Sequence, residues 1–301
     1  MLIEKFYSNG KLLLTGEYLV LDGATSLALP TKYGQDLTVE KIARPSLVWE
    51  SFDEKGYGWF HSKFELPTLK PDSNNKIVQT LQGILKEAQN LNPEFLRDGI
   101  GFYIRTGLSF PRNWGLGTSS TLINNIAEWA NVDAFELLKN SFGGSGYDIA
   151  CARNNNPILY KWSEGGPMVE SVNFNPNFMS RLYFVHLNKK QDSKEGIKAY
   201  KNVRKKSLVL TEEVSDITKL LLNCTDLSDF DKLLAEHERI IASILKKTPV
   251  QMELFSDYFG QTKSLGAWGG DFILATGNND TPNYFKNKGY ETVVSYQDMI
   301  L

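Results

Sequence analysis

Apolar positions in the first third of the chain come in short runs separated by turn residues. KLLLTGEYLVLDG, residues 11–23, holds two such runs on either side of Thr15-Gly16-Glu17. DLTVEKIA and SLVWESF follow as further strand candidates. The spacing then becomes helical. In NNKIVQTLQGILKEAQN, Ile77, Val78, Leu81, Ile84, Leu85 and Ala88 share one face. GIGFYIRTGLSF predicts a strand with Phe102 and Ile104 on one side, and it runs into PRNWGLGTSST, residues 111–121. Leu122, Ile123, Ile126, Ala127 and Ala130 then mark a helix face, so this glycine-containing stretch joins a strand to a helix N-terminus. VDAFELLKNSF predicts another helix, ended by GGSG at 143–146, and PILYKW and RLYFVHL predict strands. Residues 194–247 read as mostly helical, with Val214, Ile217, Leu220 and Leu221 on one apolar face and Leu233, Leu234, Ile240, Ile241 and Ile244 on another. SLGAWGGDFILAT predicts a glycine-rich turn entering a strand. Strands dominate early and helices late, which predicts an α+β architecture without internal repeats. The turn-rich NFNPNF places a domain boundary near 178, giving 1–178 and 179–301.

Composition narrows the function classes. The 301 residues are 42% hydrophobic and 23% charged, as in an ordinary globular protein with a sizeable core. A net charge of −2 gives no overall basic field for nucleic acid. Cys151 and Cys224 lack metal-site spacing and suit a reducing compartment as buried thiols. His61, His186 and His237 lack zinc spacing and read as structural. The opening MLIEKFYSNGKLLLTGEY has no signal-peptide pattern, and no apolar run is long enough to cross a bilayer. The expectation is a soluble, cytoplasmic protein whose partner is a small molecule, with neither nucleic acid nor membrane.

The loop at 111–121 is the first candidate for chemistry. A glycine turn at a helix start exposes unpaired N–H groups at the positive end of the helix dipole. Gly115 and Gly117 let the backbone approach a ligand, and Thr118, Ser119 and Ser120 add hydroxyls suited to phosphate or a hard cation. On spacing alone, a phosphate site and an ordinary capped turn fit equally well. No Gly-Lys-Ser/Thr follows, so this is not a Walker A loop, and Ser120 stands where a dinucleotide fingerprint needs glycine. Lys11 and Glu17 bracket a short apolar strand, and Asp148 follows the turn in GGSGYDIACA. A lone lysine or aspartate at such a place reads as a solvated surface residue. KKQDSKEGIKAYKNVRKK reads as a solvated helix face, with Lys189, Lys190, Ser193 and Lys194 as contacts if an acceptor carries a phosphate.

Taken together, these stretches resemble the GHMP kinase superfamily, whose members include galactokinases, homoserine kinases, mevalonate kinases and phosphomevalonate kinases. Pro111 to Ser119 match the pattern Pro-x-x-x-Gly-Leu-Gly-Ser-Ser, with Thr118 for the first serine. KSLGAWGGD, residues 263–271, is similar to the glycine-rich third motif, with Trp268 in place of a glycine. Gly10 to Val20, Gly144 to Asp148 and Gly269 to Asp271 resemble phosphomevalonate kinase segments. GYDIA at 146–150 resembles the hallmark of a bacterial group named for that string. The resemblance implies two domains, the first like ribosomal protein S5 domain 2 and the second ferredoxin-like, with the site between them. It also implies ATP and Mg2+ as cofactors. Pro111, Trp114, Gly115, Leu116, Gly117, Thr118, Ser119 and Ser120 would hold ATP, and Ser119 would ligate the metal. Lys11 and Asp148 would be catalytic and within direct or one-water reach of each other. Glu17, Tyr18, Ser145, Gly146, Tyr147, Gly266 and Ala267 would contact the acceptor, an intermediate of the mevalonate route. Diphosphomevalonate decarboxylases usually carry alanine at the second loop glycine, and Gly117 departs from them. The galactokinase first motif is absent from NGKLLLTGEY. Trp268 leaves a different acceptor, or a non-catalytic nucleotide-binding relative, as alternatives.

Overall fold

The computed structural model describes residues 3–97, 99–191, 193–203 and 208–301. In chain order, β1 (Ile3–Leu13), β2 (Ser26–Ile42), β3 (Ser46–Phe52), β4 (Gly58–Glu65) and β5 (Lys70–Pro71) precede α1 (Lys76–Leu91). Then come β6 (Gly101–Leu108), α2 (Thr118–Ala130), α3 (Ala134–Ser141), α4 (Tyr147–Ala152), β7 (Ile158–Ser163) and β8 (Gly166–Ser171). The remainder is β9 (Leu182–His186), α5 (Ser193–Val203), α6 (Leu208–Leu222), α7 (Leu227–Leu245), α8 (Val250–Leu254), β10 (Thr262–Ser264), β11 (Phe272–Thr276), α9 (Thr281–Asn287), β12 (Val293–Ser295) and α10 (Tyr296–Met299).

The chain forms two compact units that interleave along the sequence. One comprises 1–10, 33–112 and 116–153, and the other 11–32, 113–115 and 154–301. The 11–32 segment groups with the later part of the chain rather than with its sequence neighbours. In the first unit the strand order is β5-β4-β3-β6-β2, with β3 parallel to β6 and β2 antiparallel to it over Gln35–Ile42. α1, α2, α3 and α4 pack against one another. Leu37, Val39, Trp49 and Ile104 from the strands meet Val78, Leu81, Leu85, Ile123 and Ile126 from the helices in one core. The predicted face of α1 is buried as expected except for Ile77, which is 45% exposed. Asn75 starts this helix by accepting the N–H groups of Ile77 and Val78.

In the second unit Ser26–Ala28 of β2 pair with β7, and β7 pairs with β8. A separate antiparallel sheet has the order β10-β11-β9-β12. The sequence β9, helices, β10, β11, α9, β12 in that order is the split βαβ pattern of a ferredoxin-like domain. β9 and β11 are buried along their whole lengths, which explains why they read as continuous apolar runs.

The second apolar run of KLLLTGEYLVLDG is not a strand. Leu19–Asp22 form a 3-10 turn. The backbone turns left-handed at Gly16 (φ 87) and at Tyr18 (φ 62), and Val20 N–H closes onto Gly16 O at 2.8 Å. A Cβ at residue 16 would lie 1.9 Å from Ser26 Oγ, so only glycine fits there. Leu220, predicted apolar-face, is 58% exposed, whereas Val214, Ile217 and Leu221 are buried. Cys151 is buried as expected, but Cys224 is only half-buried. No helix among the described residues is long and apolar enough to cross a membrane.

Candidate active site

In the first unit, the strand-to-helix junction predicted from the pattern is the entry to α2. Gly117 (φ 93) caps that helix without any side-chain capping bond. The amides of the first helical turn have no intrahelical acceptor, so they form an anion-binding end. Leu116 is fully buried, which anchors the loop and leaves its backbone as the part available to a ligand. Ser119 is exposed on the first turn. Ser120, expected among the ATP ligands, is buried instead, and its hydroxyl donates to Gly117 O at 2.9 Å. Any contribution it makes comes from its backbone. Deeper in, Thr121 Oγ1 donates to Gln35 Oε1 at 2.7 Å, and Asn125 donates to Gln35 O at 2.9 Å. Ser8 donates to Asn125 Oδ1 at 2.7 Å, so a buried polar set ties α2 to the strands.

Asp148 lies in the first turn of α4, the helix that packs on α2, and is half-buried. Gly143, Gly144 and Gly146 all take positive φ, and Gly146 caps α4. Ser145 and Tyr147 flank that cap, and both are half-buried.

In the second unit, the half-buried Lys11 near the end of β1 donates from Nζ to Gly115 O at 3.0 Å. Trp114 packs edge-on against Phe272, with ring centroids 5.4 Å apart. His186, read as structural, bonds the backbone before Trp114: its Nε2 is 3.1 Å from Asn113 O and its ring lies against Phe272. Asp271 closes the same group. Its carboxylate lies against Gly115, and burial raises its pKa against the opposing effects of the Gln191 N–H and the charges of Lys11, His186 and Lys190. Sequence reasoning quoted Asp271 only as the end of the third motif and missed its place beside Lys11.

Glu17, expected to touch substrate, is 1% exposed and its carboxylate binds Lys263, which is also fully buried. It belongs to the interior of its unit, because an unpaired buried lysine would be too costly to desolvate. Gly16 N–H donates to His237 Nε2 at 2.9 Å, and burial and the Lys263 charge hold this imidazole neutral, well below its ordinary pKa. Glu238 accepts from Ser264 N–H and Ser264 Oγ, the latter at 2.9 Å. Tyr18 is buried, donates to Ala267 O at 2.7 Å and packs on Tyr200 at 5.2 Å. The first-motif turn is thereby fastened to the third motif. Gly266 takes φ 61 within that motif. Trp268 takes a left-handed backbone (φ 53), the region that favours glycine, and buries its indole to 2% exposure. The indole N–H meets no acceptor among the described residues. Lys189 and Lys190 are exposed, and the side chains of Ser193 and Lys194 lie outside the described residues.

No protein-family model and no curated protein matches the chain. Solved structures do. A mevalonate kinase of Methanococcus jannaschii aligns at TM-score 0.70 and 14% identity over 96% of both chains. A Streptococcus pneumoniae phosphomevalonate kinase in complex with phosphomevalonate and AMPPNP aligns at TM-score 0.69 and 17% identity, also over 96% of both. The chain has the GHMP kinase fold. A Lactococcus lactis galactokinase complexed with galactose shares it at TM-score 0.69 and 13% identity, over 97% of this chain and 92% of that one. Within the GHMP fold of this chain, the uncapped start of α2 and the exposed Ser119 hydroxyl fit a triphosphate with a hard divalent cation. Among the described residues there is no cluster of three or more His, Cys, Asp or Glu side chains that could hold a metal alone, so a cation here would draw most of its ligands from phosphate and water.

Proposed function

We propose that this chain is an ATP- and Mg2+-dependent small-molecule kinase acting on an intermediate of the mevalonate route, phosphomevalonate or mevalonate. The observation that carries the reading is the Lys11 ammonium seated on Gly115 O, in the glycine turn whose continuation opens α2 with free amides. When bound, MgATP supplies the phosphoryl group and the cation that offsets its charge. The chain's own part is positioning and charge stabilisation, which dominate phosphoryl transfer. The α2 amides would hold phosphate oxygens, and the Ser119 hydroxyl would be a ligand for the cation. Lys11 stabilises negative charge on the transferring group. Asp148 orients the acceptor and takes a proton where the acceptor is a hydroxyl.

The full-length likeness to kinases for three different small molecules supports the reaction class. The phosphomevalonate kinase-like segments support the acceptor. The test is ADP release with ATP and a panel of mevalonate, phosphomevalonate, homoserine and galactose. Phosphomevalonate should stimulate release well above mevalonate. Preference for mevalonate would move the acceptor one step back in the route. Response to galactose or homoserine alone would remove the isoprenoid assignment. ATP binding without turnover for any acceptor would make the chain a nucleotide-binding relative rather than an enzyme.

A further inference from the structure

Asp271 combines three features that packing alone does not require of one residue. Its backbone sits at φ 53, in the left-handed region that favours glycine. Its main chain is held on both sides: the Asp271 N–H donates to Lys189 O at 2.6 Å, and the Leu187 N–H donates to Asp271 O at 2.8 Å. Its Oδ1 accepts the Gln191 N–H at 3.2 Å. The carboxylate therefore has one orientation, fixed by the 187–191 segment.

That orientation points it at the phosphate loop. A Cβ on Gly115 would fall 2.3 Å from Asp271 Cγ, 2.4 Å from Oδ2 and 2.7 Å from Oδ1. The carboxylate thus occupies the space a side chain at 115 would fill, and Gly115 itself takes φ 69. The carbonyl of Gly115 is the acceptor of Lys11 Nζ. A lysine side chain has four rotatable carbon–carbon bonds and a compact, strongly hydrated head, so its seat on a carbonyl depends on the charges around it. A fixed negative charge beside that carbonyl narrows the choice of rotamers.

Resting on the kinase reading above, we propose that Asp271 is the positioning residue of the phosphate loop, seating Gly115 and holding Lys11 on its carbonyl. An anionic carboxylate would repel a triphosphate, so its action runs through Lys11 rather than through direct contact with nucleotide. The groups facing it are Lys11 from β1, His186 from β9 and Lys190 from the 187–191 segment. Burial outweighs their opposing effect and raises its pKa above the ordinary aspartate value, so the carboxylate is lost on the acid side of neutrality sooner than an exposed one.

Asp271→Asn keeps the shape and the acceptor for Gln191 while removing the charge, which separates positioning from mere packing. With ATP and the best acceptor of the panel, kcat should fall at least tenfold while the KM for acceptor stays within twofold. The acid limb of the wild-type kcat profile should weaken in the variant. A thermal-melt cycle of Lys11→Met, Asp271→Asn and the double variant supplies a readout independent of turnover. The double variant should lose less than the sum of the two single losses, as coupled groups do. Unchanged kcat and an unchanged pH profile in Asp271→Asn would overturn the proposal, and so would additive melting losses. If the wild-type chain turns over no acceptor, the kinase reading fails. Non-additive melting would then still uphold the Asp271–Lys11 pairing, and additive melting would overturn it.

Discussion

Glu17 shows how far a residue's surroundings can shift its chemistry. Burial raises its pKa from 4.5 to about 7, even though Lys263 binds it and pulls the other way. The unfolded carboxyl ionises near 4.5, while the folded one keeps its proton up to about 7. The folded state therefore binds the extra proton, and the stability this contributes is full below about pH 4.5 and lost as pH rises to about 7. In Glu17→Gln the fall in melting temperature across that window should be shallower than in the wild type. Melting curves at several pH values measure it, and an unchanged slope would remove Glu17 as its source. Lys263→Met should do the greater damage, because it strands Glu17 and Glu238 without their shared cation; breaking a buried pair typically costs about 3–5 kcal/mol. Neither effect is readable from the sequence. Glu17 and Lys263 are separated by 246 positions, and nothing local to either residue marks it as buried.

Elements were legible where their pattern is long and one-sided. α1, α2, α3, α7, β3 and β6 follow from periodicity and from turn residues, because one face of each packs into a core and the other does not. β5, β10 and β12 span only two or three residues each, too few for any period to register, and tertiary pairing alone defines them. The 19–22 segment misled because its apolar side chains are buried around a turn rather than along a strand. Of the candidate site, the loop and its helix were legible from glycine and hydroxyl spacing, whereas Asp271 and His186 were not, since their relation to the loop is set by how β9 and β11 pair. The docking of α5 was equally invisible. A Cβ on Gly196 would fall 2.6 Å from Tyr18 Oη, the hydroxyl that donates to Ala267 O. Gly196→Ala should push Tyr18 off this carbonyl and loosen the third-motif turn. The lost bond and the strain together should cost on the order of 1–3 kcal/mol, with a raised KM for acceptor. Tyr18→Phe, which removes the bond without adding bulk, separates the two contributions: equal losses in both variants would assign the effect to the hydrogen bond and not to the packing of α5.

At the scale of the whole molecule, the chain folds back so that its 11–32 segment joins the C-terminal half, and with it goes Lys11, while Asp148 stays with the first unit. The kinase reading gives the two residues different kinds of work, and the acceptor decides how much falls to Asp148. Lys11 offsets charge on the transferring group whatever the acceptor, so Lys11→Met should depress turnover with every substrate that works. Asp148 matters most where the attacking oxygen carries a proton. With a hydroxyl acceptor such as mevalonate, Asp148→Asn removes a positioned base and should cut kcat by at least about a hundredfold, the lower end for losing general acid–base catalysis. With phosphomevalonate the attacking phosphate oxygen is already ionised near neutral pH. The same variant should then lose only the contribution of orientation, well short of a hundredfold. ADP release measured for wild type, Asp148→Asn and Lys11→Met with each acceptor gives the comparison directly. A large loss with the hydroxyl acceptor and a small one with the phosphate acceptor would place a proton transfer on Asp148. Full activity of Asp148→Asn with both would take Asp148 out of the mechanism while leaving the role of Lys11 standing.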